Sequence, residues 1–147
     1  MSVYWVDMYL AIKNRLKSKL EALLDDDGDP VFKAVYFGKK SSPKEFPACI
    51  FWGVTERPTV TTLKSSRYPM RFRVAAIAQD QSPEGGHDEA VKKMGYVGKM
   101  IEDDRQFGDL ADTSEIDEID PDVERRRITT RHEAAYILRF ERWVLPT

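Results

Sequence analysis

The residues in this chain able to do chemistry are few and scattered. Two histidines, His87 and His132, lie 45 residues apart, each beside an acid (Asp88 and Glu133). A zinc site needs further ligands at recognisable spacing, and one distant cysteine does not supply them. Cys49 sits in an apolar run, where a thiol behaves as a small buried hydrophobe. The acidic turn Asp25-Asp26-Asp27-Gly28-Asp29 invites a calcium reading. A calcium loop of the EF-hand kind needs oxygen ligands at its first and last positions. Placing Gly28 at the sixth position puts Leu23 first and Ala34 twelfth, so two main ligands are missing. No nucleophile elbow, Walker loop or dinucleotide glycine pattern is present, and Gly85-Gly86 alone carries no phosphate-binding information. The many carboxylates fall in helix ends and acidic turns, where solvation accounts for them. The expectation is a protein with no catalytic residues, no cofactor and no metal.

The elements that would position any such residues follow from periodicity. In the first helix, expected over residues 3–24, Trp5, Tyr9, Ile12, Leu16, Leu20 and Leu23 draw one apolar stripe. The turn Asp25–Pro30 stops it. Val31 to Phe37 reads as a strand and Gly38 to Pro47 as a loop. Ala48 to Val54 reads as a strand covered on both faces. Thr55 to Arg67 is either a strand extension with a hairpin or a projecting loop, and Pro58 argues against a central strand.

Tyr68 to Gln79 reads as a strand half polar at one end and buried at the other, its second face turning apolar at Ala75 and Ile77. Met70, Phe72, Val74, Ala76 and Ala78 share one face, and Arg71 and Arg73 open the other. Ser82–Gly86 reads as a hinge into a second helix from about Asp88, with Gly95 and Gly98 permitting close approach to a sheet or a neighbouring subunit. Phe107 is expected to return to the core. Asp109 to Val123 lacks periodicity, since Ile116 and Ile119 do not alternate, and reads as a loop or short edge strand. In the closing strand Tyr136, Leu138, Phe140 and Val144 face one way and Ile137, Arg139, Glu141 and Trp143 the other. The order is α-β-β-β-α-β-β, an α+β fold with two helices packed on one largely antiparallel sheet.

Length and composition fit one domain over residues 1–147. A chain of this size buries roughly 68–70% of its unfolded surface and needs no disulfide or metal to fold. Charged residues make up 33% of it, above the usual ~25%. The start is not a signal peptide and no apolar run approaches a membrane span, so a soluble protein of a reducing compartment is expected.

Net charge is −2, but between Glu102 and Glu124 eleven acidic residues meet one basic residue, Arg105. That block carries −10 and leaves +8 for the rest. From Arg125 onward six arginines face two glutamates. Adjacent blocks of opposite sign suggest complementary surfaces, such as one copy meeting the next; the plainer alternative is a solvated acidic loop. The partner-contact residues on this reading are Lys39, Lys40, Lys44, Arg57, Lys64 and Arg67, then Glu115, Asp117 and Glu118, and finally Arg125, Arg126 and Arg127. The lysine cluster and the triple arginine could also touch phosphates. Met70-Arg71-Phe72-Arg73-Val74, however, lacks the Gly-aromatic pattern of an RNA-recognition strand.

The layout resembles the tail terminator (tail completion) proteins of long-tailed bacteriophages. The resemblance lies in the amphipathic opening helix with its acidic-Gly turn (Trp5 to Pro30), the strands with long polar loops (Val31 to Gln79), the Gly-rich turn into a second helix (Gly85 to Asp104) and the Arg-rich closing segment (Arg125 to Trp143). The family has no diagnostic motif, and its functional residues do not transfer to numbered positions here. The resemblance implies a structural virion protein of the tail or neck, made in the host cytoplasm. It would assemble as a hexameric ring on the last ring of tail tube protein, stop tube growth, and offer the docking surface for a head-completion or neck protein. Genomic DNA would pass through the ring lumen without specific recognition. The alternatives are a head-completion (stopper), neck or minor tail protein, a non-viral ferredoxin-like nucleic-acid-binding module, and a small enzyme.

Overall fold

The computed structural model describes residues 4–38, 43–54, 59–62, 65–80, 82–108, 110–111, 113–124 and 131–144. Along the chain run α1 (Tyr4–Ala22), β1 (Ala34–Phe37), β2 (Ala48–Gly53), β3 (Thr59–Thr62), β4 (Ser65–Gln79), α2 (Pro83–Glu102), β5 (Thr113–Glu124) and β6 (Arg131–Val144). The strands form one mixed sheet in the order β1-β2-β4-β6-β5, with the short β3 paired to β4 off that path. All pairings are antiparallel except β1 with β2. The expected α+β class, with two helices and a mostly antiparallel sheet, is the fold observed; β3 adds one strand to the expected order.

Both helices contribute to one core. Ile12, Leu16 and Leu20 are fully buried, as the stripe requires, and Met8 lies with them; the Trp5 side chain is outside the described part. Met70, Phe72, Val74, Ala76 and Ala78 of β4 and Ala134, Leu138 and Phe140 of β6 form the floor beneath. Tyr9 of α1 stacks on Phe72 with centroids 5.2 Å apart, and Phe72 meets Phe140 edge-on at 5.9 Å. These aromatic pairs contribute beyond their buried area. In β2, Ala48 to Phe51 are all buried, as a strand covered on both faces should be.

Strand β1 is shorter than expected. Val31 and Phe32 are buried, but the chain before them is shaped by a turn: Gly28 has φ +83, Leu24 bridges Pro30, and Val31 N–H donates to the Leu23 carbonyl. Ladder pairing begins only at Ala34.

Helix α2 starts five residues before the expected Asp88. Ser82, in extended backbone, accepts from Gly85 N–H, and Pro83 occupies the first turn, where its missing N–H costs nothing. Gly85, Gly86 and His87 therefore belong to the helix, not to a hinge. A Cβ on Gly86 would overlap the His132 ring, so this glycine lets the helix seat on β6. A Cβ on Gly98 would lie 3.2 Å from Tyr136 Cε2 and 3.4 Å from Ile116 Cδ1, the close approach to the sheet that was expected. Gly95 meets nothing within 4 Å.

Strand β5 is the larger departure. Residues 113–124 make a twelve-residue strand along β6 instead of a loop or short edge. The register shifts between Ile116 and Glu118 and again between Asp120 and Val123. The first bulge absorbs one residue, so Ile116 opposes Leu138 and Ile119 opposes Tyr136, two positions of equal parity on β6. Because β4 and β5 both run antiparallel to β6, the unit β4-α2-β5 is a split βαβ with β6 inserted between its strands.

Candidate interface

The charged segments that sequence reasoning set against each other across copies are neighbours within one chain. Acidic β5 pairs along its length with β6, placing Glu115 opposite Arg139 and Glu124 opposite His132. Glu115 is exposed, Asp117 sits at the first bulge, and Glu118 opposes Ile137. Part of the charge complementarity is thus spent inside the fold, and the alternative of a solvated acidic loop gives way to an ordered strand. Of the other expected contact residues, Lys44 is exposed beside Glu45, and Arg67 lies on β4 opposite Trp143. Lys39, Lys40, Arg57, Lys64, Arg125, Arg126 and Arg127 lie outside the described residues.

The sheet face away from the helices carries a charged layer that the charge count missed. Arg73 packs over the Trp52 ring, 5.0 Å to its centroid, and its Nη2 reaches Glu133 Oε2 at 3.2 Å. Glu133 is 4% exposed. Between Arg73 and Glu133 the ladder carries the small pair Ala75 opposite Ala135, which leaves room for the arginine stem to cross. Further along, Arg71 opposes Arg139 directly, and like charges so placed repel. Arg139 is joined to Glu141 at 3.4 Å, which offsets that repulsion. The signal for this layer was the alternation of charge in 131–142, legible only once β4 and β6 are set in register.

Asp104 is the electrostatic hinge pin between the helices. Its Oδ2 receives Arg15 Nη2 at 2.8 Å and Lys19 Nζ at 2.7 Å, and its Oδ1 accepts Gly108 N–H at 3.1 Å. The Arg15 guanidinium first, then the Lys19 ammonium, hold its carboxyl well below the usual carboxylate range. Under this cluster lies Phe107, fully buried as expected, with φ +48 and its ring 4.7 Å from that of Phe140. A left-handed backbone at a bulky residue is strained by about 1–3 kcal/mol, and burial of the ring offsets it. Gly108 follows at φ +64, with Arg15 packed where a side chain would stand.

The remaining chemistry-bearing groups have packing roles. Asp25 Oδ1 accepts the N–H groups of Asp27 and Asp29 at 2.9 and 3.0 Å, so this carboxylate closes its own turn. Burial pushes the Cys49 thiol far above its ordinary value, which makes it unreactive. Burial also raises Tyr9 and, with help from Glu102, Tyr136. His132 Nε2 donates to the Asp80 carbonyl at 3.3 Å. Among the described residues no group of three or more His, Cys, Asp or Glu side chains could hold a metal ion. Two shallow grooves of about 390 Å³ each flank Tyr96 between the Asp25–Asp26 turn and α2, with Lys19, Leu23, Leu24, Lys99 and Met100 along one of them. No helix among the described residues is long and apolar enough to cross a membrane.

The sheet ends in two unlike edge strands. At one end β1 is four residues long and uncharged; at the other β5 is twelve residues long with six acids and no base. Pro121, which donates no ladder hydrogen bond, sits in β5 where an edge strand with a bulge tolerates it. No protein-family model and no curated protein sequence matches this chain.

Proposed function

We propose that this chain is a structural assembly protein of a long-tailed phage, a tail terminator that caps the tail tube as a ring and presents the docking surface for the head side. The observation that carries the reading is the length of the paired strands β4 and β6, which continue together to Ser66 and Val144. Among the described side chains, Met70 and Phe140 are the buried cross-strand pair nearest one end of β4 and β6. Beyond it β4 and β6 continue in register to Ser66 and Val144, and β3 adds a third strand there. At ~3.4 Å per residue, the paired strands extend about 14 Å beyond Met70 and Phe140. A helix-backed sheet with one long three-stranded end suits a part that grips one neighbour while standing on another. The fully buried thiol, the self-capped acidic turn and the paired charges are in keeping with a scaffold whose polar groups serve packing.

The test adds purified chain to polymerising tail tube protein of the same phage. A capping protein shortens and sharpens the tube-length distribution in negative-stain images, and sixfold rings appear at tube ends. Tubes that grow to unlimited length with the chain in excess would sink the terminator reading.

A further inference from the structure

We propose that the two sheet edges are complementary halves of one self-association site, so that the β5 edge of one copy lies against the β1 edge of the next; this deepens the ring reading above and rests on it. The argument starts from topology. The sheet ends in β1 on one side and β5 on the other, so each copy has one edge of each kind. Contact between unlike edges is head-to-tail, the geometry that generates rings.

The charges favour that pairing over the two like ones. Strand β5 carries Glu115, Asp117, Glu118, Asp120, Asp122 and Glu124. Two such edges repel, which prevents β5 from pairing with its own copy. Lysines stand on both sides of β1 in the chain, beyond the acidic turn that ends at Asp29. Exposed Lys33 stands directly before the strand, Lys13 lies over the exposed Phe37 with its Nζ 4.4 Å from the ring centroid, and exposed Lys44 follows in the connection beside Glu45. In the sequence Lys39 and Lys40 come next after Gly38. The strand itself, Ala34–Phe37, has no charge, proline or bulge to guard its edge. An uncharged edge strand with lysines on either side of it in the chain matches a long edge strand whose sequence holds six acids. The strand is short, so one contact is weak, and closure of a ring, where each copy is held on both sides, is what makes the assembly persist.

The test uses two charge-reversed full-length chains. The first carries Lys33→Glu and Lys44→Glu. The second carries Glu118→Lys and Asp120→Lys, chosen because the uncharged Ile137 and Ala135 oppose these positions in the ladder. Circular dichroism confirms that each is folded, and light scattering reads the mass at rising concentration. The wild type is expected to grow beyond 17.0 kDa. Each variant alone is expected to need at least tenfold higher concentration to do so. An equimolar mixture is expected to recover assembly, because in an alternating ring half of the β1–β5 contacts keep the original charges and in the other half the reversed positions of β5 meet the reversed positions beside β1. Assembly that persists in each variant alone, or a mixture that fails to recover, overturns the edge pairing while leaving the capping assay to judge the terminator. A wild type that stays monomeric at every concentration also overturns it, again independently of tube capping.

Discussion

Replacing Gly86 with alanine should change sign according to what stands at position 132. Gly86 lies in the first turns of α2, and a Cβ there would overlap the Cγ, Cδ2 and Nε2 atoms of His132. Those atoms include the root of the ring, so the ring must turn as a whole, away from the Asp80 carbonyl it donates to. Overpacking of this kind costs about 1–3 kcal/mol. Against it stands the better helix propensity of alanine, up to about 1 kcal/mol. The net expectation for Gly86→Ala is a loss of about 1–2 kcal/mol. In the background of His132→Ala the overlap is gone and the same change should stabilise by about 0.5–1 kcal/mol. The coupling between the two sites is then about 2 kcal/mol, well above the scatter of independent sites. Urea unfolding followed by circular dichroism reads this as a midpoint falling by about 1 M in one background and rising in the other. Gly95→Ala is the control, since nothing lies within 4 Å of its Cβ, and it should stabilise by about 1 kcal/mol in both backgrounds. Equal losses from Gly86→Ala with and without His132 would refute the reasoning, because the constraint would then lie in the backbone and not in the ring.

Asp104 sets an acid dependence. Its folded pKa lies below the unfolded value of about 3.9, so its stabilisation is full above that value and lost as pH falls through the folded one. Its side chain is 24% exposed and solvent screens the pair, so Asp104→Asn should cost about 1 kcal/mol at neutral pH, with the gap to wild type closing in chemical melts run at progressively lower pH. Glu133→Gln removes the charge beside the largely buried Arg73 and should cost about 2–4 kcal/mol, read as a lower urea midpoint. Phe107→Ala empties a fully buried site while keeping the left-handed backbone, and thermal melts should show a loss of about 3–5 kcal/mol.

What the sequence made legible follows from periodicity alone. Ile12, Leu16 and Leu20 recur at helical spacing and are buried; Met70 to Ala78 alternate and form the floor of the core. The start of α2 was legible too, in Ser82 followed by Pro83, but the Gly85-Gly86 pair outweighed that capping signal. Strand β5 was obscured for a physical reason. Two bulges break the period of two that identifies a strand, and Ile116 and Ile119, three apart, regain equal parity only after the first bulge. The charge blocks were visible as blocks, yet their adjacency in the sheet was not. Strand pairing is a long-range property, and nothing local in residues 113–124 names β6 as their neighbour.

The insertion of β6 between β4 and β5 governs the order in which the chain can be completed during synthesis. Everything up to Glu124 can leave the ribosome with β4 paired only to β2 and β3, and β5 has no neighbour until residues 131–144 emerge. Until then the long flank of β4, including Phe72 and Val74, stays open to any passing strand. The nascent chain is therefore most exposed to misassociation just before β6 appears, and its acidic segment is by then already outside, giving like chains on one polysome a reason to keep apart.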